Sequence, residues 1–220
     1  MSSQFRTRIK ICCISSSEEA RLAIRLGADA LGLVGRMPSG PGVVADELAA
    51  HIVRSTPPPI ATFMLTSETI TADIIAHQQR VGANTIQLVD AVSPATYVQI
   101  REALPAVKLV QVIHVIDERN IAEALQAVEE GADALLLDSG NPTLAVKELG
   151  GTGRIHNWAI SRQIVEQSAV PVFLAGGLNV QNAREAIEQV QPFGLDICSG
   201  VRTNGQLDER KLEAFIAALS

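Results

Sequence analysis

Short apolar runs alternate with helix-length segments from one end of the chain to the other, and this alternation constrains the fold most strongly. The runs are rich in Val, Ile and Leu, which is typical of strands buried on both faces in a parallel sheet. Parallel strands need crossover connections, and the segments between the runs can supply them as helices. The eight runs are RIKICCI (8–14), ALGLV (30–34), IATFML (60–65), TIQLV (85–89), KLVQVIHV (108–115), ALLLDS (134–139), PVFLAGG (171–177) and GLDICSG (194–200).

Eight strand–helix units are the number that closes a barrel. Gly-Ala-Asp recurs at 27–29 and 131–133, where glycine ends a helix just before the next strand. A doubly wound open sheet is the alternative, but it usually has fewer strands, and no glycine-rich dinucleotide motif follows the first run. We therefore predict the α/β class and a single (β/α)8 TIM barrel over residues 1–220. Helices are predicted at 18–27, 46–55, 71–81, 94–103, 118–130, 158–167, 180–189 and 209–219.

The composition argues against several classes of partner. A net charge of −6 and an aromatic share of 3% do not fit a nucleic-acid surface, which needs clustered Lys and Arg. No apolar run approaches the roughly 20 residues that span a bilayer, and the start MSSQFRTRIK lacks the apolar stretch of a secretion signal. Three cysteines, two of them adjacent, favour free thiols in a reducing compartment. We expect a cytoplasmic protein with no metal site and no cofactor.

Two polar side chains stand at the ends of predicted strands on opposite sides of such a barrel. Function in these barrels is found at the C-terminal strand ends, where Cys12 follows strand 1 and Asp138 ends strand 6. A thiolate facing a carboxyl across the mouth suits general base and general acid catalysis on one substrate. The alternatives are a buried apolar role for Cys12 and a helix cap or loop hydrogen bond for Asp138.

Glycine-containing turns follow the last two strands. Gly176-Gly177 and Ser199-Gly200 stand where barrels of this kind often bind phosphate, because glycine lets backbone N–H groups approach an anion. Ordinary tight turns are the alternative. The segment 150–153 (GGTG), which ends in Gly153, is a third candidate wall for the ligand, although flexible surface loops have the same composition.

Charged side chains complete the predicted site. Lys10 shares the face of Cys12 by strand alternation, and Asp196 lies on strand 8, which barrel closure sets beside strand 1. We predict that Lys10 and Asp196 pair inside the barrel. Arg36 and Arg202 follow strand ends and are candidate contacts for an anionic group, with a solvated surface role as the alternative.

Six short blocks, spread in order over nearly the whole chain, carry a family resemblance. They are Lys10-Ile11-Cys12, GADALG (27–32), LLD (136–138) with GGTG (150–153), Trp158, LAGGLN (174–179) and DICSGV (196–201). These blocks resemble the K-I-C-G, G-A-D-A-x-G, L-L-D…G-G-[ST]-G, F-D-W, L-[AS]-G-G-L-[NT] and D-[VL]-S-S-G-V motifs of the phosphoribosylanthranilate isomerase family, barrel enzymes of tryptophan biosynthesis.

The resemblance implies an Amadori rearrangement of N-(5-phosphoribosyl)anthranilate to 1-(2-carboxyphenylamino)-1-deoxyribulose 5-phosphate without metal or cofactor. It assigns Asp138 as the general acid and Cys12 as the general base. It also implies a phosphorylated small-molecule partner in a monomer or homodimer. The residues that the resemblance and the turns together assign to substrate and phosphate binding are Gly153, Gly176, Gly177, Ser199 and Gly200, with Lys10, Arg36, Gln87 and Arg202 as further candidate contacts.

The chain departs from the family motifs mainly where the anthranilate group is expected. Pro41 stands where the loop motif has an arginine, and Val89 stands where Q-L-H-G has a histidine. Cys13 replaces the glycine of K-I-C-G, Arg202 replaces a glutamate, and Asn157 replaces the aspartate of F-D-W. Two alternatives therefore stay open: a barrel enzyme acting on a different phosphorylated sugar or amine, and a non-catalytic barrel that binds a phosphate ligand.

Overall fold

The eight strands close into one barrel, as the alternation predicts. The computed structural model describes residues 6–38, 40–140 and 155–219. Each strand pairs in parallel with the next along the chain, and β8 pairs with β1 to complete the ring. The strands are β1 Arg8–Ile11, β2 Ala30–Val34, β3 Ala61–Thr66, β4 Thr85–Leu88, β5 Lys108–His114, β6 Ala134–Asp138, β7 Val172–Leu174 and β8 Gly194–Ile197.

A helix follows each barrel strand and covers the outside of the sheet. Apolar side chains that point outward, such as Leu109 and Ile113, join the main core with the helices. Side chains of the opposite parity, such as Val110 and Val112, join a second core inside the ring with Phe63 and others. The helices are α1 Ser17–Arg25, α2 Asp46–Ser55, α3 Thr71–Val81, α4 Pro94–Ala103, α5 Arg119–Glu130, α6 Trp158–Gln167, α7 Ala183–Val190 and α8 Glu209–Ala218.

Local sequence signals fix the helix ends. The Ser16 hydroxyl caps α1 by accepting a hydrogen bond from the Glu19 N–H, and Pro94 occupies the first turn of α4. Gly82 ends α3 in the left-handed conformation. Because all eight barrel strands run parallel, the loops that follow them gather at one end of the barrel.

The connection from β8 to α8 contains elements that the sequence patterns did not predict. A 3₁₀ turn spans Ser199–Val201, and the two-residue strands β9 Arg202–Thr203 and β10 Gln206–Leu207 form an antiparallel hairpin. Within the described parts of the chain, no helix is long and apolar enough to cross a membrane.

Candidate active site

One cavity opens at the C-terminal ends of the strands and encloses about 720 Å³ of space, part of it open to solvent. Its wall combines residues of β2, β3, β4, β5, β6 and β8 with the loops that follow β1, β2, β7 and β8. The residues discussed below are placed relative to this cavity.

Cys12 and Asp138, the predicted base and acid, both line the cavity. Cys12 follows β1 directly, and its backbone N–H donates a 2.8 Å hydrogen bond to the Ile197 carbonyl of β8. Asp138 is the last residue of β6, and both side chains are largely buried. The barrel therefore brings these two side chains to a common space from non-adjacent strands.

The surroundings of Asp138 favour its protonated form. Burial raises the pKa of its carboxyl, and the negative charge of Asp196 acts in the same direction. A 2.8 Å hydrogen bond donated by the Ser139 N–H, together with the positive charges of His114 and Lys10, partly offsets that rise in the pKa. A carboxyl with a raised pKa holds the proton that a general acid needs near neutral pH.

Two further thiols, those of Cys13 and Cys198, line the same cavity beside Cys12. Hydrogen bonding to the Cys12 and Cys198 thiols, with burial, raises the pKa of Cys13. The hydrogen bond from Cys13 and the positive charge of Arg202 lower the pKa of Cys198. Cys13 has a φ of 61°, the left-handed conformation that favours glycine, which is the residue of the K-I-C-G motif at this position.

The turns after β7 and β8 form another part of the wall. Gly176, Gly177 and Ser199 line the cavity, and both glycines have positive φ angles, 83° and 64°. Gly200 packs against the β7 loop so closely that an added Cβ would lie 2.1 Å from the Leu178 carbonyl oxygen. The two loops thus form one packed unit of backbone groups. Gly153, the remaining predicted phosphate residue, lies outside the described residues.

Lys10 and Asp196 pair inside the barrel, as strand alternation and closure predict. Their residues are register partners on β1 and β8, and Lys10 Nζ lies 2.9 Å from Asp196 Oδ1. The Lys10 side chain is 0% exposed and its ammonium also lies 5.1 Å from the centre of the Phe63 ring. Asp196 lines the cavity, whereas Lys10 lies below its wall.

The comparisons with known proteins agree with this geometry. The family model of N-(5'-phosphoribosyl)anthranilate (PRA) isomerase matches residues 9–218. The chain belongs to the PRA isomerase family. It is 36% identical to N-(5'-phosphoribosyl)anthranilate isomerase 2 of Methanosarcina mazei over 95% of this chain and 92% of that protein.

Solved structures of PRA isomerases have the same fold. The enzyme from Thermotoga maritima superposes with a TM-score of 0.82 at 28% identity, covering 97% of this chain and 98% of that one. A phosphoribosyl anthranilate isomerase solved in complex with reduced 1-(o-carboxyphenylamino)-1-deoxyribulose 5-phosphate superposes with a TM-score of 0.79 at 26% identity and the same coverage.

Arg202, which departs from the PRA isomerase motif, lies in a buried network rather than on the cavity wall. Its guanidinium donates hydrogen bonds of 2.9 and 3.0 Å to the two Glu19 carboxylate oxygens. It also donates to the carbonyls of Cys12, Cys13 and Gly205. The predicted substrate contact of Arg202 is therefore not supported by its placement, because these structural acceptors occupy the donors of both terminal guanidinium nitrogens and only the buried Nε lacks a partner among the described residues.

The rim near β2 and β4 differs most from the PRA isomerase motifs. Pro41, where the motif has an arginine, lines the cavity with Met37. Arg36 is exposed and does not contribute to the cavity wall, so the structure does not bring it to the site. Gln87 does line the cavity, and its side-chain oxygen is buried without a hydrogen-bond partner among the described residues. An unpaired amide oxygen at this point is available to a ligand.

Sequence reasoning missed several residues around the site. The sequence shows Cys13 only as a departure from the K-I-C-G motif and Cys198 only as a residue at the end of strand 8. Their contact with each other depends on the pairing of β1 with β8, which closes the ring. His114 was seen only as part of an apolar run, although it is buried at the end of β5 beside Asp138. The polar residue within an otherwise apolar strand was the available signal.

Proposed function

We propose that this chain catalyses the Amadori rearrangement of N-(5'-phosphoribosyl)anthranilate to 1-(2-carboxyphenylamino)-1-deoxyribulose 5-phosphate. The observation that carries the proposal is the presence of Cys12 and Asp138 on the wall of one cavity, in a chain of the PRA isomerase family. The reaction moves protons and opens a ring, so one acid and one base supply its chemistry.

In the first step, Asp138 donates its proton to the ring oxygen of the sugar. The bond between this oxygen and C1 breaks, and the nitrogen lone pair forms a C=N bond to C1. The raised pKa of Asp138, caused mainly by burial, favours the protonated carboxyl that this step needs. Cys12, as its thiolate, then removes the proton from C2, and the resulting enolamine tautomerises to the ketone.

The phosphate would bind at the turns after β7 and β8. Backbone N–H groups in the segments around Gly176, Gly177, Ser199 and Gly200 suit an anion because glycine permits close approach. The hydrogen bonds that the Asn179 and Asn182 side-chain amides donate to the Gly177 carbonyl, 3.2 and 3.0 Å long, stabilise this turn. Gly153 retains its predicted role here as part of the proposal.

The anthranilate group would occupy the opposite part of the cavity. Val34, Leu65, Met37 and Pro41 give this part an apolar lining that suits an aromatic ring. The unpaired Gln87 side-chain oxygen would accept a hydrogen bond from a substrate N–H or hydroxyl. Without an arginine at position 41, we expect weaker recognition of the anthranilate carboxylate, by about 2–3 kcal/mol.

The fluorescence of phosphoribosylanthranilate provides the test, because turnover removes it. The wild-type chain should consume the substrate, and Cys12→Ser and Asp138→Asn should each lower kcat by about 10²-fold or more with unchanged circular dichroism. Wild-type activity in either variant would contradict the assigned roles. No turnover, with inorganic phosphate still raising the melting temperature, would favour a different phosphorylated sugar or amine. No turnover and no shift would favour a non-catalytic barrel.

Several wider expectations accompany this proposal. A cytoplasmic location, the lack of a nucleic-acid partner, and assembly as a monomer or homodimer remain predictions. The net charge of −6 supports the expected lack of a nucleic-acid partner, because it would repel a phosphate backbone.

A further inference from the structure

His114 is the last residue of β5 and lies beside the proposed general acid. Its register partner on β6 is Asp138, so the two side chains leave neighbouring strands at the same level. His114 shares its strand face with Val112, which lines the cavity, but it is only 6% exposed and does not itself form part of the cavity wall. It therefore touches the site through Asp138 rather than through the ligand.

One hydrogen bond fixes the imidazole of His114. Its Nε2 lies 3.0 Å from the Val89 carbonyl oxygen, and a carbonyl can only accept, so Nε2 carries the proton. Val89 occupies the position of the histidine in the Q-L-H-G motif, and in this chain an imidazole from the next strand bonds to its backbone carbonyl. Nδ1 is buried and has no hydrogen-bond partner among the described residues.

The acid step creates a negative charge in a buried position. When Asp138 gives its proton to the sugar, the carboxylate left behind has little access to water and needs a nearby positive charge. The charged groups that act on it are Lys10, Asp196 and His114. Lys10 is already paired with Asp196 at 2.9 Å, and Asp196 is repulsive, which leaves His114 as the uncommitted group beside Asp138.

We propose that His114 is a positioning residue for Asp138: held by the Val89 carbonyl, its imidazole lies beside the carboxyl and stabilises the carboxylate formed in the acid step. The proton that moves goes from the Asp138 carboxyl to the sugar ring oxygen, and no proton leaves His114. This inference rests on the proposed function, because it takes Asp138 as the acid.

Nuclear magnetic resonance tests the coupling without any substrate. In protein labelled at aspartate carboxyl carbons, with Asp138→Asn used to assign the signal, His114→Gln should move the titration of Asp138 to higher pH, since a neighbouring positive charge is lost. If the Asp138 midpoint does not move, the proposal is wrong. His114→Asn is the second variant if His114→Gln does not fold, and it should move the Asp138 midpoint in the same direction.

Kinetics provide a separate test. His114→Gln should lower kcat at pH 7 by about tenfold, a part of the 10²–10⁴ typical of general acid catalysis, with KM changed less than about twofold. The limb of the kcat profile in which activity falls as Asp138 loses its proton should move to higher pH. A rise in KM with unchanged kcat, or a lower melting temperature with an unmoved limb, would overturn the role.

His77→Gln is the matched control. His77 is equally buried and contacts Thr66 and Asp46, away from the cavity wall. This variant should leave both the Asp138 titration and kcat unchanged, and an equal effect would mean that loss of any buried histidine disturbs the barrel. If the wild-type chain does not turn over phosphoribosylanthranilate, the proposed function fails, while the titrations still decide whether His114 and Asp138 are coupled.

Discussion

The buried Lys10–Asp196 pair makes a prediction that can be worked out in detail. The two charges lie 2.9 Å apart with side chains 0% and 7% exposed. Removal of one partner from a buried pair typically costs about 3–5 kcal/mol, because the other charge stays buried without compensation. Asp196→Asn and Lys10→Met should therefore each lower the free energy of unfolding by about that amount.

A second argument sets an upper limit for the stability lost in Asp196→Asn. A buried lysine without a partner can release its proton, and from its ordinary pKa of 10.5 this costs about 4.8 kcal/mol at pH 7, at about 1.36 kcal/mol per unit. The double variant Lys10→Met/Asp196→Leu removes both charges and should lie near the wild-type stability or above it. Such non-additivity is the signature of the pair.

The direction of the Lys10 pKa shift determines how the stability changes with pH. Burial acts to lower the pKa of Lys10, but the charge and hydrogen bond of Asp196, together with the charges of Cys12 and Cys13, outweigh burial and raise the pKa. Lys10 therefore contributes its full stabilisation below pH 10.5 and loses it as pH rises through the folded-state pKa. In Asp196→Asn, a Lys10 that has lost its proton in the folded state reverses this dependence of stability on pH. The unfolded chain then binds more protons, and stability should rise by up to about 1.36 kcal/mol per unit between pH 7 and 10.

Urea denaturation at pH 7 and pH 9.5 measures these quantities, with the m-value as a check on two-state behaviour. The reasoning is refuted if the single variants each lose less than about 1 kcal/mol, or if the double variant loses the sum of the two. A stability of Asp196→Asn that does not change with pH would show that Lys10 stays charged without its partner.

Two further predictions concern the cavity wall. Gly200→Ala puts a Cβ 2.1 Å from the Leu178 carbonyl oxygen, so the loops must separate by about 1 Å. A misplacement of this size can lower the rate of a reaction by about 10²-fold. We therefore expect kcat/KM to fall by about that factor and phosphate to raise the melting temperature less than in the wild type. A kcat/KM within twofold of wild type would contradict this. Cys198 should react with iodoacetamide before Cys13, because the Cys13 thiol and the Arg202 charge lower the pKa of Cys198 while that of Cys13 is raised. Peptide mass mapping over time follows both thiols, and earlier labelling of Cys13 would show that the pKa order is wrong.

Most of the architecture could be predicted from local signals. The bounds of α2, α3, α4 and α6 agree with the sequence prediction, because residues such as Pro94 and Gly82 mark the ends chemically. The start of α7 was wrong: the prediction began at 180, but the helix begins at Ala183. The side chain of Asn182 accepts from the Asn179 N–H, and this turn takes up the preceding residues.

The site was predictable where it depended on strand ends, and less so where it depended on pairs between distant segments. Cys12 and Asp138 were found because strand ends in a barrel face one mouth. The proposed role of His114 depends on its register with Asp138, and the buried position of Arg202 depends on a carboxylate in α1. Neither partner can be read from the spacing of residues along the chain, since many charged residues could have met each guanidinium or imidazole.

The network around Arg202 also has a consequence for the order of synthesis. Arg202 follows the last barrel strand, yet it binds the carbonyls of Cys12 and Cys13 and the side chain of Glu19 in the first unit. The strand that carries Cys12 is paired on one side by β8. A nascent chain on the ribosome therefore makes Cys12 before the other seven barrel strands, but completes the contacts around it only after β8 and Arg202 have emerged. Until then the contacts that surround this thiol are incomplete, and the proposed base takes its place in the cavity only when the ring is closed.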